Sequence, residues 1–260
     1  IAAGERVWGL KRNPSGLPRG VRGISADLLD PGSLEELPRG LTHVYYCVGA
    51  TAHSEEAYEA AYVRGLRNLL AAIEPQRSTI RVLFTSSTGV YGQQDGAWVD
   101  EESPTATDGF ASQTILHGEQ LLALSGMNTT VVRFSGIYGP GRSWFLDQVR
   151  RGEIPFSTMP MYTNRIHRDD CARVLFHLGH LEEMGDLFVA SDDLPAPRNE
   201  VVSWLADRMD VPMPTRIVSH QEGTRERTNK RCKNDKLKAT GFAFTFPTYK
   251  EGYAALLDGK

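Results

Sequence analysis

Cysteine is scarce in this 260-residue chain: its three thiols, Cys47, Cys171 and Cys232, stand far apart and form no C-x-x-C pair. That excludes a disulfide framework and a paired-thiolate zinc site, and makes a reducing, cytoplasmic compartment the natural expectation. Long apolar runs are missing too. No uncharged stretch approaches the roughly 18 residues that cross a bilayer, so no membrane role is expected. Nor is there an excess of either charge. Lys and Arg number 29 against 32 Asp and Glu, a formal net charge of −3, which gives no pull toward nucleic acid. The sequence also lacks internal repeats and low-complexity tracts.

What is present is ordinary for a globular chain: 40% hydrophobic and 23% charged residues, in a length that suits one large domain or one with a small appendage. Residues 1–4 read as a helix end with a glycine stop, and residues 5–10 as a strand. The chain is therefore expected to enter in mid-element. Further strands are expected at 21–26 and at 42–48, the latter a buried run of Val44, Tyr45, Tyr46, Cys47 and Val48. Ser54 is the expected N-cap of a long helix, with Glu55 and Glu56 at its positive end and Tyr58, Tyr62, Leu66, Leu69 and Ile73 at helical spacing. A strand at 80–85, a loop at 92–109, a helix at 110–124 and a strand at 129–134 follow, then a turn at 136–141. Such alternation implies a parallel sheet with helices on both faces, with ligands beyond the carboxyl ends of the strands.

After Arg142 the rhythm changes. A helix at 144–151, a short strand at 165–167 and a helix begun by Asp169 and Asp170 are expected, the last with Val174, Leu175, Leu178 and Leu181 on one face. A proline-rich link at 194–197 precedes a helix at 200–209, whose Val201, Val202, Trp204 and Leu205 read as core. The basic stretch at 225–238 reads as a solvated face, with phosphate binding as the alternative. His177 and His180 have ligand-like helical spacing but no third ligand near them, so no metal is expected.

The most informative string is residues 83–92, LFTSSTGVYG, in which a buried strand ends in a cluster of hydroxyls. It resembles the extended short-chain dehydrogenase/reductase superfamily, the epimerase/dehydratase branch, whose matching strand ends in Ser/Thr shortly before Val-Tyr-Gly. RFSGIYGPG at 133–141 resembles the family's loop beside the nicotinamide. NRIHRDD at 164–170 resembles its later signature, and residues 58–70 its central helix; NRIHRDD also marks atypical, little-characterised members. The resemblance implies an α/β fold, a Rossmann-type doubly wound parallel sheet with a small C-terminal α/β substrate segment. Residues 1–141 would form the dinucleotide-binding core, and residues 142–260 mainly the substrate segment, with some elements returning to the core.

The resemblance places Ser87 at the catalytic hydroxyl, donating to a substrate oxygen as charge develops. It implies cofactor contacts at Asp27 and Leu28 near adenine, at Cys47, Gly49 and Ala50 on a small-residue strand end, and at Ser86, Gly136 and Tyr138. Thr88, Tyr91, Arg142, Arg165 and His167 are the implied substrate contacts. Arg12 and Asn13 follow the strand at 5–10, where an acidic residue would bind a ribose 2′-OH and a basic one a 2′-phosphate. This favours NADP over NAD, with a solvent-facing Lys11-Arg12 pair as the alternative. No G-x-x-G-x-x-G string occurs in the chain. It is expected just upstream of Ile1, on a first strand and helix of about 20 to 30 residues. Without that strand two apolar neighbours would expose unpaired edges.

Departures from the family bear on chemistry. Where redox members carry Tyr-x-x-x-Lys, this chain has Ala111 and Ile115, and where dehydratases place an acidic pair it has Thr88 and Gly89. Losing positioned acid/base help costs about 10²- to 10⁴-fold. His117, one turn away, is a weak substitute, and Tyr62 stands where the match shows Asn. Two readings stay open: an NAD(P)-dependent oxidoreductase or epimerase-like enzyme, or a catalytically degenerate NADP-binding or regulatory protein. The implied partners are a small-molecule substrate, a nucleotide sugar or another carbonyl or alcohol metabolite, and a second copy in a homodimer.

Overall fold

Strands and helices alternate in a computed structural model that describes residues 4–105, 108–183, 185–218 and 229–259. In chain order they are β1 (Trp8–Lys11), β2 (Arg22–Ser25), β3 (His43–Tyr46), α1 (Glu55–Tyr58), α2 (Gly65–Ile73), β4 (Arg81–Ser87), β5 (Ala97–Val99), α3 (Phe110–Ala123), β6 (Asn128–Phe134) and β7 (Gly136–Tyr138). Then come α4 (Trp144–Arg150), β8 (Phe156–Ser157), β9 (Tyr162–Thr163), β10 (Arg165–His167), α5 (Arg168–Gly179), β11 (Leu187–Ala190), β12 (Ala196–Pro197), α6 (Arg198–Met209), β13 (Ile217–Val218), β14 (Lys230–Cys232), α7 (Asp235–Ala239) and α8 (Tyr249–Leu257). No helix among the described residues is long and apolar enough to cross a membrane.

Packing divides the chain into two compact units, Ile1–Phe84 with Gly109–Thr129, and Thr85–Asp108 with Thr130–Lys260. In the first unit β1 and β2 form a two-stranded parallel sheet with Trp8 opposite Arg22, and β3 pairs in parallel with β4, Tyr46 opposite Phe84. The strand expected at 5–10 thus lies at Trp8–Lys11, and residues 1–3 of the expected helix end fall outside the described residues. The buried run expected at 44–48 is corrected. Only Tyr46 of the five is buried; among the described residues β3 ends the strand order and has no ladder on its outer side.

The expected long helix does begin at Ser54, whose hydroxyl accepts the Ala57 N–H at 3.3 Å. Between α1 and α2, however, residues Glu59–Arg64 form a π-helical segment. A π turn frees carbonyls from the i−4 ladder, and the Ala61 carbonyl there accepts the Tyr46 hydroxyl. Against the same segment lies α3, whose Gly118 leaves no room for a side chain: a Cβ would stand 2.6 Å from the Tyr62 carbonyl oxygen. Backbone meets backbone at that crossing.

In the second unit the carboxyl end of β4, β6 and β11 follow one another in the order β11-β6-β4, with Val131 of β6 opposite Leu187 of β11 in a parallel ladder. β7 and β10 pair in parallel through Gly136 and Arg165. The loop expected at 92–109 is corrected, because β5 lies within it and pairs in parallel with β14, Ala97 opposite Lys230. That partner lies far along the chain, beyond any local pattern. α4, α6 and α8 enclose an apolar core of Leu146, Val149, Val201, Val202, Leu205, Tyr249 and Tyr253 against Tyr138, with Trp204 packed on its margin.

The basic stretch expected to be solvated is corrected at one position. Lys233, Lys236 and Lys238 are exposed, but Lys230 is 5% exposed, because strand alternation points it inward together with Cys232. Residues 219–228 lie outside the described residues.

Candidate active site

Parallel strands direct their carboxyl ends toward one side, where functional groups of open α/β sheets collect. In the second unit β4 ends in Ser86 and Ser87, β6 is followed by Ser135, and β11 by Ser191 and Asp192; the Ser135 N–H donates to the Ala190 carbonyl at 3.0 Å. Three strand ends thus set hydroxyls and one carboxyl in a row.

Ser87 is half-buried and caps the short 3₁₀ turn Thr88–Val90, its Oγ accepting the Gly89 N–H at 3.0 Å. With that lone pair occupied, the hydroxyl proton is left to be donated. Thr88 points inward, buried and hydrogen-bonded to the Cys232 thiol. Ser86 is buried.

Tyr91 closes the turn and is fully enclosed. Its hydroxyl accepts from Arg133 Nη1 at 2.9 Å, and its carbonyl accepts from Lys230 Nζ at 3.0 Å. Burial pushes the Tyr91 phenol up to about 12 against the opposing pull of Arg133, so it keeps its proton near neutrality. Burial brings the Lys230 ammonium down to about 8. Asn164 steadies the strand behind it, donating from Nδ2 to the Lys230 carbonyl at 2.9 Å and accepting the Cys232 N–H at 2.7 Å.

The loop at 136–141 rests on the NRIHRDD segment. A Cβ on Gly136 would stand 2.9 Å from the Asn164 carbonyl, and Gly139, at φ +140, lies against Arg168 and the His167 ring. His167 is 2% exposed; its Nδ1 accepts the Asp169 N–H at 3.2 Å as the cap of α5, which leaves the ring proton on Nε2. Burial lowers its pKa. Tyr138, at 4% exposure, is packed by Tyr253 at 4.4 Å and by the edge of His167. Arg165 is buried over the Phe145 ring, donates to Thr163 Oγ1 at 2.6 Å and bonds Tyr253. Of the five implied substrate contacts, Thr88, Tyr91, Arg142, Arg165 and His167, only Arg142 is exposed.

Sequence reasoning missed Asp192. It is 1% exposed, and burial raises its carboxyl to about 8; one oxygen accepts the Leu194 N–H at 3.2 Å and the other has no partner among the described residues. Its signal was available: an acid directly after the apolar strand Leu187–Ala190 stands at a carboxyl end. Lys230 was missed for want of its non-local partner strand.

In the first unit the expected adenosine contacts are fixed locally. The Asn13 side chain accepts the Ser15 N–H at 3.0 Å, Asp27 accepts the Leu29 N–H at 3.0 Å through one oxygen, and Asn68 holds the Leu28 carbonyl at 2.8 Å. Arg12 is exposed and makes no side-chain hydrogen bond or ion pair among the described residues. Cys47 is exposed, Ala50 is half-buried, and a Cβ on Gly49 would meet nothing within 4 Å. A spare carboxylate oxygen, a free guanidinium and bare backbone fit the adenosine end of a dinucleotide; the chain offers no glycine-rich turn for the pyrophosphate. His117 is exposed on α3, whereas Ile115 is buried.

No curated protein sequence matches this chain. Among solved structures, a candidate NAD-dependent epimerase/dehydratase from Methylobacillus flagellatus is 35% identical over 99% of this chain and 91% of its own, with a TM-score of 0.81. A conserved protein of unknown function from Silicibacter pomeroyi is 29% identical over 99% and 92%, with a TM-score of 0.79. The UDP-glucose 4-epimerase of Thermus thermophilus in complex with NAD shares the fold at 21% identity over 96% and 89%, with a TM-score of 0.76. The sequence profile of the NAD dependent epimerase/dehydratase family matches residues 1–192, and with the α/β architecture and parallel ladders above it establishes that the chain belongs to that family.

Proposed function

We propose that this protein is an NAD(P)-dependent oxidoreductase or epimerase-like enzyme acting on a hydroxyl or carbonyl carbon of a nucleotide sugar. The observation that carries the reading is Ser87, whose Oγ is pinned by the Gly89 N–H with its own proton left to donate. A substrate oxygen accepting a hydrogen bond from Ser87 Oγ is stabilised as negative charge builds on it. A bound nicotinamide supplies the hydride chemistry. Arg142 is the exposed cation available to an anionic substrate, whereas Tyr91, Thr88 and Arg165, being buried and bonded, shape the site from behind. Arg12 supports NADP over NAD, although the Thermus thermophilus relative carries NAD. In this reading residues 1–141 serve mainly the dinucleotide and residues 142–260 mainly the substrate.

A second reading, a cofactor-binding protein without turnover, rests on Ala111 and the buried Ile115, which supply no acid/base pair on α3. Incubating the full chain with NAD or NADP and a panel headed by UDP-glucose separates the two. Turnover that falls about 10²-fold in Ser87→Ala, with cofactor affinity retained, supports the enzyme. Cofactor binding without turnover of any panel member supports the second reading, and turnover unchanged in Ser87→Ala removes that hydroxyl from the mechanism.

A further inference from the structure

We propose that Lys230 is a positioning residue for Ser87: its buried ammonium, donating to the Tyr91 carbonyl, holds the far end of the turn whose near end aims the Ser87 hydroxyl. This rests on the reading of Ser87 given above.

The geometry forms a closed series. Ser87 Oγ is set by the Gly89 N–H, and the turn containing Gly89 is closed by the Tyr91 N–H on the Thr88 carbonyl at 3.2 Å. Tyr91 is in turn held twice, by Arg133 on its hydroxyl and by Lys230 on its carbonyl. Residue 232, two places along β14 and so on the same face as residue 230, contributes the thiol that bonds the Thr88 hydroxyl. β14 therefore grips the turn through both side chains on its inner face. It is itself fixed by its ladder with β5 and by both ends of the Asn164 amide.

Burying an ammonium against a turn carbonyl is expensive. Desolvating a cation is costly, and apolar residues of similar volume are often as stabilising or more so. The hydrogen bond to the Tyr91 carbonyl falls on the turn that carries the Ser87 hydroxyl, and so fixes where that hydroxyl points. Small displacements of a catalytic group are costly to rate. The low pKa of this amine agrees with such enclosure.

The test uses the full chain and two variants, Lys230→Met and Lys230→Gln. Amide hydrogen exchange at Gly89, Val90 and Tyr91 is expected to quicken at least about tenfold while β6 and β11 keep their protection and the melting temperature does not fall. Unchanged exchange in the turn overturns the proposal whatever the activity does. So does exchange that rises throughout the unit, or failure of both variants to fold, since Lys230 would then serve the fold at large. With NAD and UDP-glucose as probes, kcat is expected to drop about tenfold or more while KM stays within about twofold. The double variant Ser87→Ala/Lys230→Met should be no slower than Ser87→Ala alone, and additive losses would overturn the positioning role. Should the wild type turn over no substrate, the functional reading fails while the exchange experiment still decides whether Lys230 sets the turn.

Discussion

The Tyr138 hydroxyl lies against the α-carbon of Gly252 so closely that a methyl group at 252 would overlap the phenol oxygen. Tyr138 cannot retreat, since Tyr253 packs on its ring and its hydroxyl is sealed in without a hydrogen-bond partner among the described residues. Gly252→Ala is therefore expected to destabilise by about 1 to 3 kcal/mol despite the better helix propensity of alanine. Tyr138→Phe should be close to neutral and should recover much of that loss when combined with it. Urea unfolding of the three variants checks this, and a Gly252→Ala protein more stable than the wild type would refute the packing described.

Asp170 is fully buried and accepts the Thr245 and Phe246 N–H groups, each at 2.9 Å, together with Arg173 Nη1 at 2.8 Å. Removing the carboxylate strands two backbone donors, each worth about 1 to 3 kcal/mol when left unsatisfied. Asp170→Ala should lose about 2 to 5 kcal/mol of unfolding free energy. Because the Phe246 ring packs against His167, tilted by 45° at 4.0 Å, exchange protection around His167 should fall as well. A variant that melts with the wild type would show these bonds to be dispensable.

The parts of this fold that were legible in the sequence are the ones written in neighbouring residues. Ser54 with its glutamates started the helix as expected, β10 fell where its short run predicted, and β4 ends in the hydroxyl cluster that residues 83–92 spell out. The parts that were illegible depend on partners distant in the chain. β5 exists because β14 lies beside it, and Lys230 is buried for the same reason, while composition alone makes residues 229–238 look solvated. Tyr45 carries a strand's apolar signature yet is exposed, because hydrophobic pattern reports strand type and not whether a ladder covers the outer edge. The π segment answers to a hydroxyl on β3 and a glycine on α3, which no helical periodicity encodes.

Arg12 follows β1 with its guanidinium unengaged among the described residues, while Asn13 beside it is committed to the turn that follows. A 2′-phosphate would find there a planar donor suited to oxyanions. Arg12→Ala is expected to weaken NADPH binding about tenfold or more while altering NADH binding less than about threefold, a shift of at least about 0.7 kcal/mol in the preference. Parallel fluorescence titrations read it directly, and a ratio unchanged by the substitution would return Arg12 to the role of a solvent-facing cation.

Burial raises the Asp192 carboxyl to about 8, with the nearby Arg165 only partly opposing it. In the unfolded chain an aspartate titrates near its ordinary value of about 3.9. Between those two values the folded protein holds a proton that the unfolded chain has released, so this group makes stability fall as the pH rises from about 4 to about 8. Below that window both states are protonated and above it both are ionised, and the slope from Asp192 vanishes. Asp192→Asn, which keeps the shape and cannot ionise, should therefore gain on the wild type across the window by at most about 1.4 kcal/mol per pH unit. Unfolding free energies measured for both proteins at pH 5, 6, 7 and 8 decide the matter: a widening gap in favour of the variant is expected, and parallel curves would mean that Asp192 is already ionised in the folded protein at pH 5.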